Sequence, residues 1–268
     1  MTFLQRVAIT VVTVGLLAVA TVAMAIPPEG DPMGPEAFDR LQYKNKAGSI
    51  LQYRLLQPKE DTSAGSKHPL LVFLHGAGER GHDNRAQLTW GAEFMLQAAG
   101  KYNAYVLVPQ CPREQRWAEI DWSKLTHTMP KTPSKPMGLV MEVITKLRKD
   151  YPIDPARVYI MGLSMGGYGT WDTIQRYPSV FAAAVPICGG GDEGNASRIT
   201  TPVWAFHGGD DRVVPVERSR RMIAAMEKTG AKPRYSEFPY VGHNSWSPAF
   251  ATPELLPWIF SQRRTNNQ

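Results

Sequence analysis

The chain has 268 residues, of which 43% are hydrophobic and 20% are charged, as is usual for a packed soluble protein. This length suits one α/β domain better than two. The formal net charge is +6, but the basic residues are scattered, so the sequence has no signature of nucleic-acid binding.

The first 25 residues differ in composition from the rest of the chain. Residues 7–24 are uncharged and mostly apolar, Arg6 precedes them, and Ala23-Met24-Ala25 has the small-x-small form of a cleavage site. This arrangement predicts a signal peptide over residues 1–25, a mature domain over residues 26–268, and a secreted or periplasmic protein. The alternative is an uncleaved membrane anchor, because about 18 apolar residues can just span a bilayer. We expect membrane contact only in that case.

From about residue 70 onward, strand-like runs alternate with helix-like runs. Residues 41–44 and 50–56 predict an antiparallel hairpin at the edge of a sheet. Further strands are predicted at residues 70–74, 105–108, 158–161, 182–187, 203–206 and 234–238. Helices are predicted at residues 91–99, 139–148, 165–177, 216–228 and 253–261, the last with a proline at its start. Apolar strands that alternate with helices predict an α/β fold with a mostly parallel sheet and helices on both faces.

A candidate nucleophile follows the predicted strand at 158–161, where residues 162–166 have the sequence GLSMG. A nucleophilic serine must stand at a tight turn between a strand and a helix, and such a turn needs small neighbours. The pattern alone is weak, because a glycine-rich turn with a capping serine has the same sequence form. The strand before it and the helix after it indicate that Ser164 is the nucleophile.

Two later loops contain a candidate acid and a candidate base. Asp210 and Asp211 follow the strand at 203–206, and His243 follows the last predicted strand. The chain order serine, acid, histidine is one in which catalytic triads occur. We therefore predict that His243 is the base, whereas composition alone leaves both aspartates open as the acid. His207 ends the strand before the acid and is expected to be a packed, hydrogen-bonded neighbour.

The loop after the strand at 70–74 is a candidate oxyanion hole. Such a site needs two backbone N–H groups that point at one oxygen atom. Met165, the residue after the nucleophile, would supply one, and we predict that Ala77 supplies the other. The alternative is that this loop is only a glycine-rich turn. Glu79 and Arg80 in the same loop are expected to pair with each other or to frame the pocket.

Five sequence runs carry a resemblance to a known superfamily. They are LHGAGERG at 74–81, PQCP at 109–112, GLSMGG at 162–167, CGGGD at 188–192 and GHNSW at 242–246. From about residue 42 to residue 262, the chain resembles the α/β-hydrolases, and among them the exported phospholipase/carboxylesterase-like, dienelactone-hydrolase-like and prolyl-oligopeptidase-related esterases.

The resemblance implies an α/β-hydrolase fold and a carboxylic-ester hydrolase with a Ser-Asp-His triad. The family places its acid in the pattern H-G-x-x-D-x-x-V-P, which here selects Asp211 over Asp210. The family topology also implies that two strands lie between the strands ending at Cys111 and Cys188. Three gaps of ~4.8 Å separate the cysteines by roughly 14 Å, too far for a disulfide. We therefore expect two free, half-buried thiols.

The substrate is less well defined by the sequence. Residues 189–201 are too few for a helical cap, so we expect an open site without interfacial activation. Trp117 and Trp122 lie in the long irregular segment 112–136, and Trp246 follows His243 closely. These side chains are candidates to stack on sugar rings, aryl groups or a polyester, or else to fill the core under a long loop. Small-molecule and polymer-attached esters both remain open as substrates.

Two other functions compete with the esterase prediction. A serine peptidase of the prolyl-oligopeptidase type normally carries a propeller domain, for which this chain has no room. A non-catalytic binding protein on the same scaffold would lack a triad residue, and no triad residue is missing from the sequence. The six histidines are far apart and contain no H-x-x-x-H pair. We therefore expect neither a metal ion nor a cofactor.

Overall fold

The computed structural model describes residues 35–59 and 65–265. The predicted signal peptide at 1–25 lies outside the described residues. Within the described part of the chain, no helix is both long and apolar enough to cross a membrane.

A sheet forms the centre of the described structure, and its eight strands have the order β1-β2-β4-β3-β5-β6-β7-β8. Strand β2 is antiparallel to both of its neighbours, and the other pairs are parallel. The strands are β1 Asp39–Lys44, β2 Ile50–Leu56, β3 His68–Leu74, β4 Tyr105–Gln110, β5 Ile153–Leu163, β6 Ala183–Ile187, β7 Trp204–Gly208 and β8 Arg234–Phe238. The predicted edge hairpin and the mostly parallel sheet are confirmed.

Helices cover both faces of this sheet. They are α1 Ala92–Tyr102, α2 Lys135–Asp150, α3 Met165–Arg176, α4 Glu217–Lys228, α5 Trp246–Phe250 and α6 Leu255–Ser261. The last helix begins at Leu255, so the prediction of a start at Pro253 is wrong. Another proline, Pro257, lies within the first turn of α6, where its missing N–H would have no helical partner in any case. Helix α5 was not predicted, because five residues are too few to show a helical period.

The alternation of side chains along the central strand β3 explains the two hydrophobic cores. Leu70, Val72 and Leu74 pack into one core with buried side chains of α2, α3 and α4. Leu71 and Phe73 point the other way, into a core shared with α1 and α6. Successive strand residues face opposite sides of a sheet, so a strand covered on both faces must be apolar throughout. This arrangement buries β3 and leaves its carboxyl end free to position the loop that follows.

The two cysteines are unpaired, as predicted. Strands β3 and β5 lie between the strands that precede Cys111 and Cys188, which is the separation that the family topology implied. The expectation of half-buried thiols is wrong, because both side chains are completely buried. This burial raises the pKa of each thiol to about 12. Both therefore stay protonated at neutral pH, as unreactive thiols do.

Helix α4 carries three arginines, and one of them is not exposed to solvent. Arg220 and Arg221 are exposed, whereas Arg218 is completely buried. The guanidinium group of Arg218 lies over the ring of Tyr168, with 5.3 Å between Cζ and the ring centroid, and Nη2 contacts His127 Nδ1. Arg218 therefore joins α4 to the segment 112–136, a role that charge patterning alone does not reveal.

The connections around the carboxyl edge of the sheet are short or tightly attached. Residues 189–201 contain one 3₁₀ helix, Glu193–Arg198. In the segment 112–136, the Trp117 indole N–H donates to the carbonyl oxygen of His75, and the Met129 N–H donates to Asp192. These bonds hold the segment against the domain, so we expect it to stay in place when substrate binds.

We predict that the ester hydrolysis implied by the resemblance shows no interfacial activation, because neither connection has the form of a mobile lid. The rate of hydrolysis of a short-chain ester should follow a hyperbola as its concentration passes the solubility limit. A sharp increase in rate when the emulsion forms would contradict this prediction and would identify residues 112–136 as a lid.

Candidate active site

The predicted site residues meet at the carboxyl edge of the parallel strands. Ser164 follows β5, Asp211 follows β7, His243 follows β8, and Ala77 follows β3. This edge is where ligands bind in open α/β sheets. Residues that are distant in the sequence therefore come together because parallel strands all end at the same side.

Ser164 occupies a strained turn between β5 and α3, with φ of 53° and ψ of −116°. Its backbone N–H donates to the carbonyl oxygen of Ile187 at 2.9 Å, which fixes the turn against β6. A Cβ atom on Gly162 would lie 2.4 Å from the Gly166 oxygen, and one on Gly166 would lie 2.0 Å from the Leu74 oxygen. Both glycines are therefore required by close backbone approach, which explains why the serine needs small residues on each side.

A chain of two hydrogen bonds links the serine to an acid through the histidine. Nε2 of His243 lies 2.9 Å from Ser164 Oγ, and Nδ1 of His243 lies 2.8 Å from Asp211 Oδ2. The His243 side chain is 20% exposed, whereas that of Asp211 is inaccessible. The carboxylate holds the imidazole so that Nε2 is free to accept the serine proton.

The second oxygen of Asp211 explains why this aspartate, and not Asp210, faces the histidine. Oδ1 accepts hydrogen bonds from the backbone N–H groups of Val213 and Val214, at 2.8 and 2.9 Å. Asp210 is exposed, and its own N–H donates to the carbonyl oxygen of Val241. The turn after β7 thus directs one side chain inward and the other to solvent.

Asp211 is ionised over the whole physiological range. Burial by itself would raise its pKa, but the hydrogen bonds from His207, His243, Val214 and Val213 outweigh burial and hold the pKa well below its usual range. A negative charge is therefore always present to stabilise a protonated His243.

His207 is completely buried and hydrogen-bonded, as predicted. Its Nε2 lies 2.9 Å from the carbonyl oxygen of Val214 and 3.3 Å from Asp211 Oδ2, and its Nδ1 lies 2.8 Å from Ser219 Oγ. Since a carbonyl oxygen only accepts, Nε2 carries the proton. The side chain therefore also supports the acid, a contact that the sequence did not indicate.

The two residues predicted to form an oxyanion hole begin two helices. Met165 is the first residue of α3, and Ala77 is the first residue of the 3₁₀ helix Ala77–Glu79. The first N–H groups of a helix have no partner inside it, so they are available to an anion. A Cβ atom on the neighbouring Gly76 would lie only 3.7 Å from Ser164 Cβ, which places the Ala77 loop directly beside the serine.

A buried histidine supports that loop. Nδ1 of His75 donates to the carbonyl oxygen of Gly76 at 2.6 Å, and Nε2 accepts the N–H of Cys111 at 2.9 Å. Burial lowers the pKa of His75 to about 4, so the ring is neutral at neutral pH. A proton on His75 Nε2 would point at the N–H group of Cys111 and repel it. This repulsion also disfavours the protonated ring.

We predict that the folded state loses stability in mild acid because of His75. The unfolded chain binds a proton to this residue near pH 6.5, whereas the folded chain binds it only near pH 4, so stability is complete above pH 6.5 and falls as the pH drops towards 4. The expected loss between pH 7 and pH 5 is about 2 kcal/mol in the free energy of unfolding. Urea titrations of the wild type and of His75→Gln at both pH values measure it.

The variant His75→Gln should be less stable at pH 7 but should lose about 2 kcal/mol less than the wild type on acidification. His127 should still contribute to the loss in both proteins, because burial lowers its pKa to about 4 as well. The exposed His82 provides a matched control, and His82→Gln should keep the wild-type pH dependence. An unchanged pH dependence in His75→Gln would show that another group carries the effect.

Of the two expectations for Glu79 and Arg80, that they pair with each other is wrong. Glu79 Oε1 accepts the indole N–H of Trp90 at 3.1 Å, whereas Arg80 donates to the carbonyl oxygens of Ala77 and Gln115. Burial raises the pKa of Glu79, although hydrogen bonds from Trp90 and the backbone oppose it. Both residues therefore frame the loop, and Glu79 connects it to Trp90, which the sequence analysis did not single out.

The three tryptophans that were pocket candidates have different positions. Trp117 is completely buried and packs edge-on against His75, so the expectation that it lines the pocket is wrong. Trp122 is partly buried under the guanidinium group of Arg116. Trp246 contacts His243 edge-on, with ring centroids 5.5 Å apart, so it is the one of the three that packs against the predicted base.

Among the residues described, one group has metal-ligating atoms close together. Atoms of Cys188, Asp211 and His243 lie within 4.8 Å of one another. Two of these residues already form the hydrogen-bonded chain to Ser164, and the Cys188 thiol holds its proton firmly because burial raises its pKa to about 12. The residues fit a proton-transfer site better than a resident metal centre, and the expected absence of a metal stays a prediction.

The sheet order, the strained serine turn and the Ser-His-Asp arrangement together define an α/β-hydrolase. A sequence profile of the phospholipase/carboxylesterase family matches residues 61–252. The chain belongs to this family.

Similar proteins agree with this placement. A thermostable esterase of known structure is 41% identical, covers 86% of this chain and 64% of its own, and has a TM-score of 0.79. A bifunctional acetylxylan esterase/xylanase of Neocallimastix patriciarum is 27% identical over 165 residues, which are 62% of this chain. A probable carboxylesterase of Arabidopsis thaliana is 25% identical over 197 residues, which are 65% of this chain. The chain spans 22% of the length of the Neocallimastix protein and 72% of the Arabidopsis protein.

Proposed function

We propose that this protein hydrolyses carboxylic esters through an acyl-enzyme on Ser164. The observation that carries the proposal is the continuous hydrogen-bonded chain from Ser164 Oγ through His243 to Asp211, with distances of 2.9 and 2.8 Å. It lies beside two helix starts whose N–H groups can receive an oxyanion. The family and the esterases among its relatives support the same reaction.

The reaction proceeds in two halves. His243 takes the Ser164 proton at Nε2 while Oγ attacks the ester carbonyl carbon, and the N–H groups of Ala77 and Met165 stabilise the oxygen that becomes negative. Protonated His243 then gives its proton to the leaving alcohol, and the acyl group stays on Ser164. A water molecule repeats the sequence in the second half, releases the acid and restores the serine.

Asp211 stays ionised throughout both halves. Its pKa lies far below neutrality because four hydrogen bonds outweigh the effect of burial, so it does not take the proton from His243. Its part is to hold the imidazole in the required tautomer and to stabilise the positive charge that appears on the ring.

Stopped-flow hydrolysis of p-nitrophenyl acetate tests the acyl-enzyme. We expect a burst of p-nitrophenol equal to the enzyme concentration, and an increase of one acetyl group in the mass of the enzyme quenched during the burst. A parallel assay with a peptide amide separates the esterase from the alternative, a serine peptidase. Faster cleavage of the amide than of the ester, or the absence of an acylated serine, would contradict the proposal.

We predict that kcat/KM for ester hydrolysis is lower in acid than at neutral pH, because only neutral His243 can accept the Ser164 proton. The measurement is initial rates at low substrate concentration in buffers of constant ionic strength. His243→Ala should show a strongly reduced rate at every pH. A flat profile in the wild type, or full activity in His243→Ala, would contradict the assignment of the base.

The proposal extends to substrates and export. We infer that the ester belongs to a small molecule or to a polymer, since one relative is named as an acetylxylan esterase. The apolar segment at 7–24 and the Ala23-Met24-Ala25 run support export with removal of residues 1–25. Mass analysis of the protein recovered outside the cytoplasm tests this, because a chain that still carries residues 1–25 would indicate an anchor.

A further inference from the structure

An aromatic cleft of about 540 Å³ lies next to the proposed catalytic histidine. Trp90 and Trp246 form one side of it, with ring centroids 5.6 Å apart, and Phe94 and Phe250 stack against each other at 5.0 Å in its wall. Trp90 is 39% exposed, which is unusual for so large an apolar side chain. Trp90 therefore presents part of its ring surface to solvent within the cleft.

The cleft borders the proposed active site through one shared side chain. Trp246, which lines the cleft, meets the His243 ring edge-on at 5.5 Å between centroids. A group held against Trp246 would therefore lie close to His243, the proposed base.

Glu79 joins the two regions through its two carboxylate oxygens. Oε1 accepts the indole N–H of Trp90 at 3.1 Å. Oε2 lies 3.0 Å from the position of a Cβ atom on Gly76, and Ser164 Cβ lies 3.7 Å from the same position. The carboxylate thus stands between the nucleophile and the first tryptophan, where it can accept a hydrogen bond from a substrate that spans both.

The remaining polar groups of the cleft are uncharged or acidic. Thr89, Gln97 and Ser247 offer hydroxyl and amide groups, and Glu93 offers a second carboxylate. An alkyl chain would pack against the rings, but it would cover these polar groups without replacing their hydrogen bonds to water. That loss costs free energy. A sugar satisfies both, because its C–H faces pack on indole rings while its hydroxyl groups donate to carboxylate and amide oxygens.

We propose that Glu79, Trp90 and Trp246 form a sugar-binding subsite, and that the substrates are esters carried by a carbohydrate. The ester group lies at Ser164, a neighbouring sugar hydroxyl donates to Glu79 Oε2, and the sugar ring packs on the two tryptophans. This inference rests on the proposed ester hydrolysis, which the burst experiment tests independently.

The first experiment measures how variants change the preference between two acetate esters. One is an acetylated methyl xyloside, and the other is p-nitrophenyl acetate, which has the same acyl group but no sugar. Trp90→Ala should lower the ratio of kcat/KM for the sugar ester to that for the aryl ester by about tenfold, mainly through a higher KM for the sugar ester. Glu79→Gln should lower the ratio by about fivefold, because a neutral acceptor replaces a charged one. Tyr43→Ala, on the distant edge strand β1, is the control and should leave the ratio unchanged.

The second experiment measures binding without turnover. In the Ser164→Ala variant, titration with xylotriose should change the tryptophan fluorescence, and adding Trp90→Ala should abolish that change. Acetylcholine is the contrasting ester, because its quaternary ammonium group also binds to aromatic rings and carboxylates. The proposal would be overturned if Trp90→Ala left the ratio of kcat/KM for the sugar ester to that for the aryl ester unchanged. It would also be overturned if the variant lowered kcat/KM only for acetylcholine. A failure of the proposed function gives a different result, in which the Ser164→Ala variant retains its esterase activity.

Discussion

Replacing Ser164 by alanine is expected to lower kcat for ester hydrolysis by about 10⁶, because the members of a triad act as a unit and the nucleophile starts both half-reactions. The fold should remain intact, since the side-chain oxygen of Ser164 makes its hydrogen bond to His243 at the surface of the site rather than in a core. Initial rates with p-nitrophenyl acetate and a thermal melt measure the two effects separately.

A fluorophosphonate probe gives a second measurement on the same variant. The wild type should be labelled at one serine, and Ser164→Ala should not be labelled. Ser197→Ala, which changes an exposed serine of the 3₁₀ helix Glu193–Arg198, is the matched control and should be labelled like the wild type. Complete labelling of Ser164→Ala would show that another residue is the nucleophile.

Replacing Asp211 by asparagine should lower kcat by about 10⁴, the loss that follows when a triad histidine is held in the wrong tautomer. An asparagine side chain at this position would present its amide nitrogen to His243 Nδ1, because its single oxygen is needed by the two backbone N–H groups, and it could no longer stabilise a positive imidazole. The two backbone N–H groups of Val213 and Val214 can still donate to the remaining oxygen, so the loop should keep its shape.

The adjacent Asp210 offers a control of the same chemistry one residue away. Its side chain is exposed, so Asp210→Asn should change kcat by less than about threefold, as is usual for surface substitutions. Measurements of kcat and of the melting temperature for both variants test the assignment. A crippled Asp210→Asn with a nearly normal Asp211→Asn would show that the loop is shifted by one residue.

The fold was predictable because its signals are local. Buried strands such as Val158 to Met161 are apolar runs, and the helices between them have a clear period, so the α/β order follows from the sequence alone. The ends of elements were less predictable. Helix α6 starts at Leu255 rather than Pro253, because the residues before it form a turn whose geometry leaves no periodic signal.

The site was predictable only as far as chain order and motif spacing reach. Ser164 and His243 each follow a strand, and parallel strands bring such residues to one edge. The choice between Asp210 and Asp211 needed the resemblance to a family, and the structure gives its physical reason in the turn after β7. Trp117 shows the opposite case, since only the fold reveals that its indole N–H is used by the His75 carbonyl oxygen inside the protein.

Contacts between segments far apart in the sequence were not predictable. The packing of Trp246 on Trp90 depends on how α5 docks next to the segment that precedes α1. Trp90 and Trp246 do not lie in a common hydrophobic period that would indicate their contact. The buried Arg218 is similar, because its partners Tyr168 and His127 come from two other segments.

The separation of Cys111 and Cys188 by two strands has a consequence for how the protein can be produced. Two thiols that cannot meet and that stay protonated contribute no cross-link to the native state, so the folded protein should be the same in an oxidising or a reducing environment. Its melting temperature should therefore not change when dithiothreitol is added. Folding should need no disulfide-forming enzymes, and protein made in a reducing cytoplasm should match protein made by export.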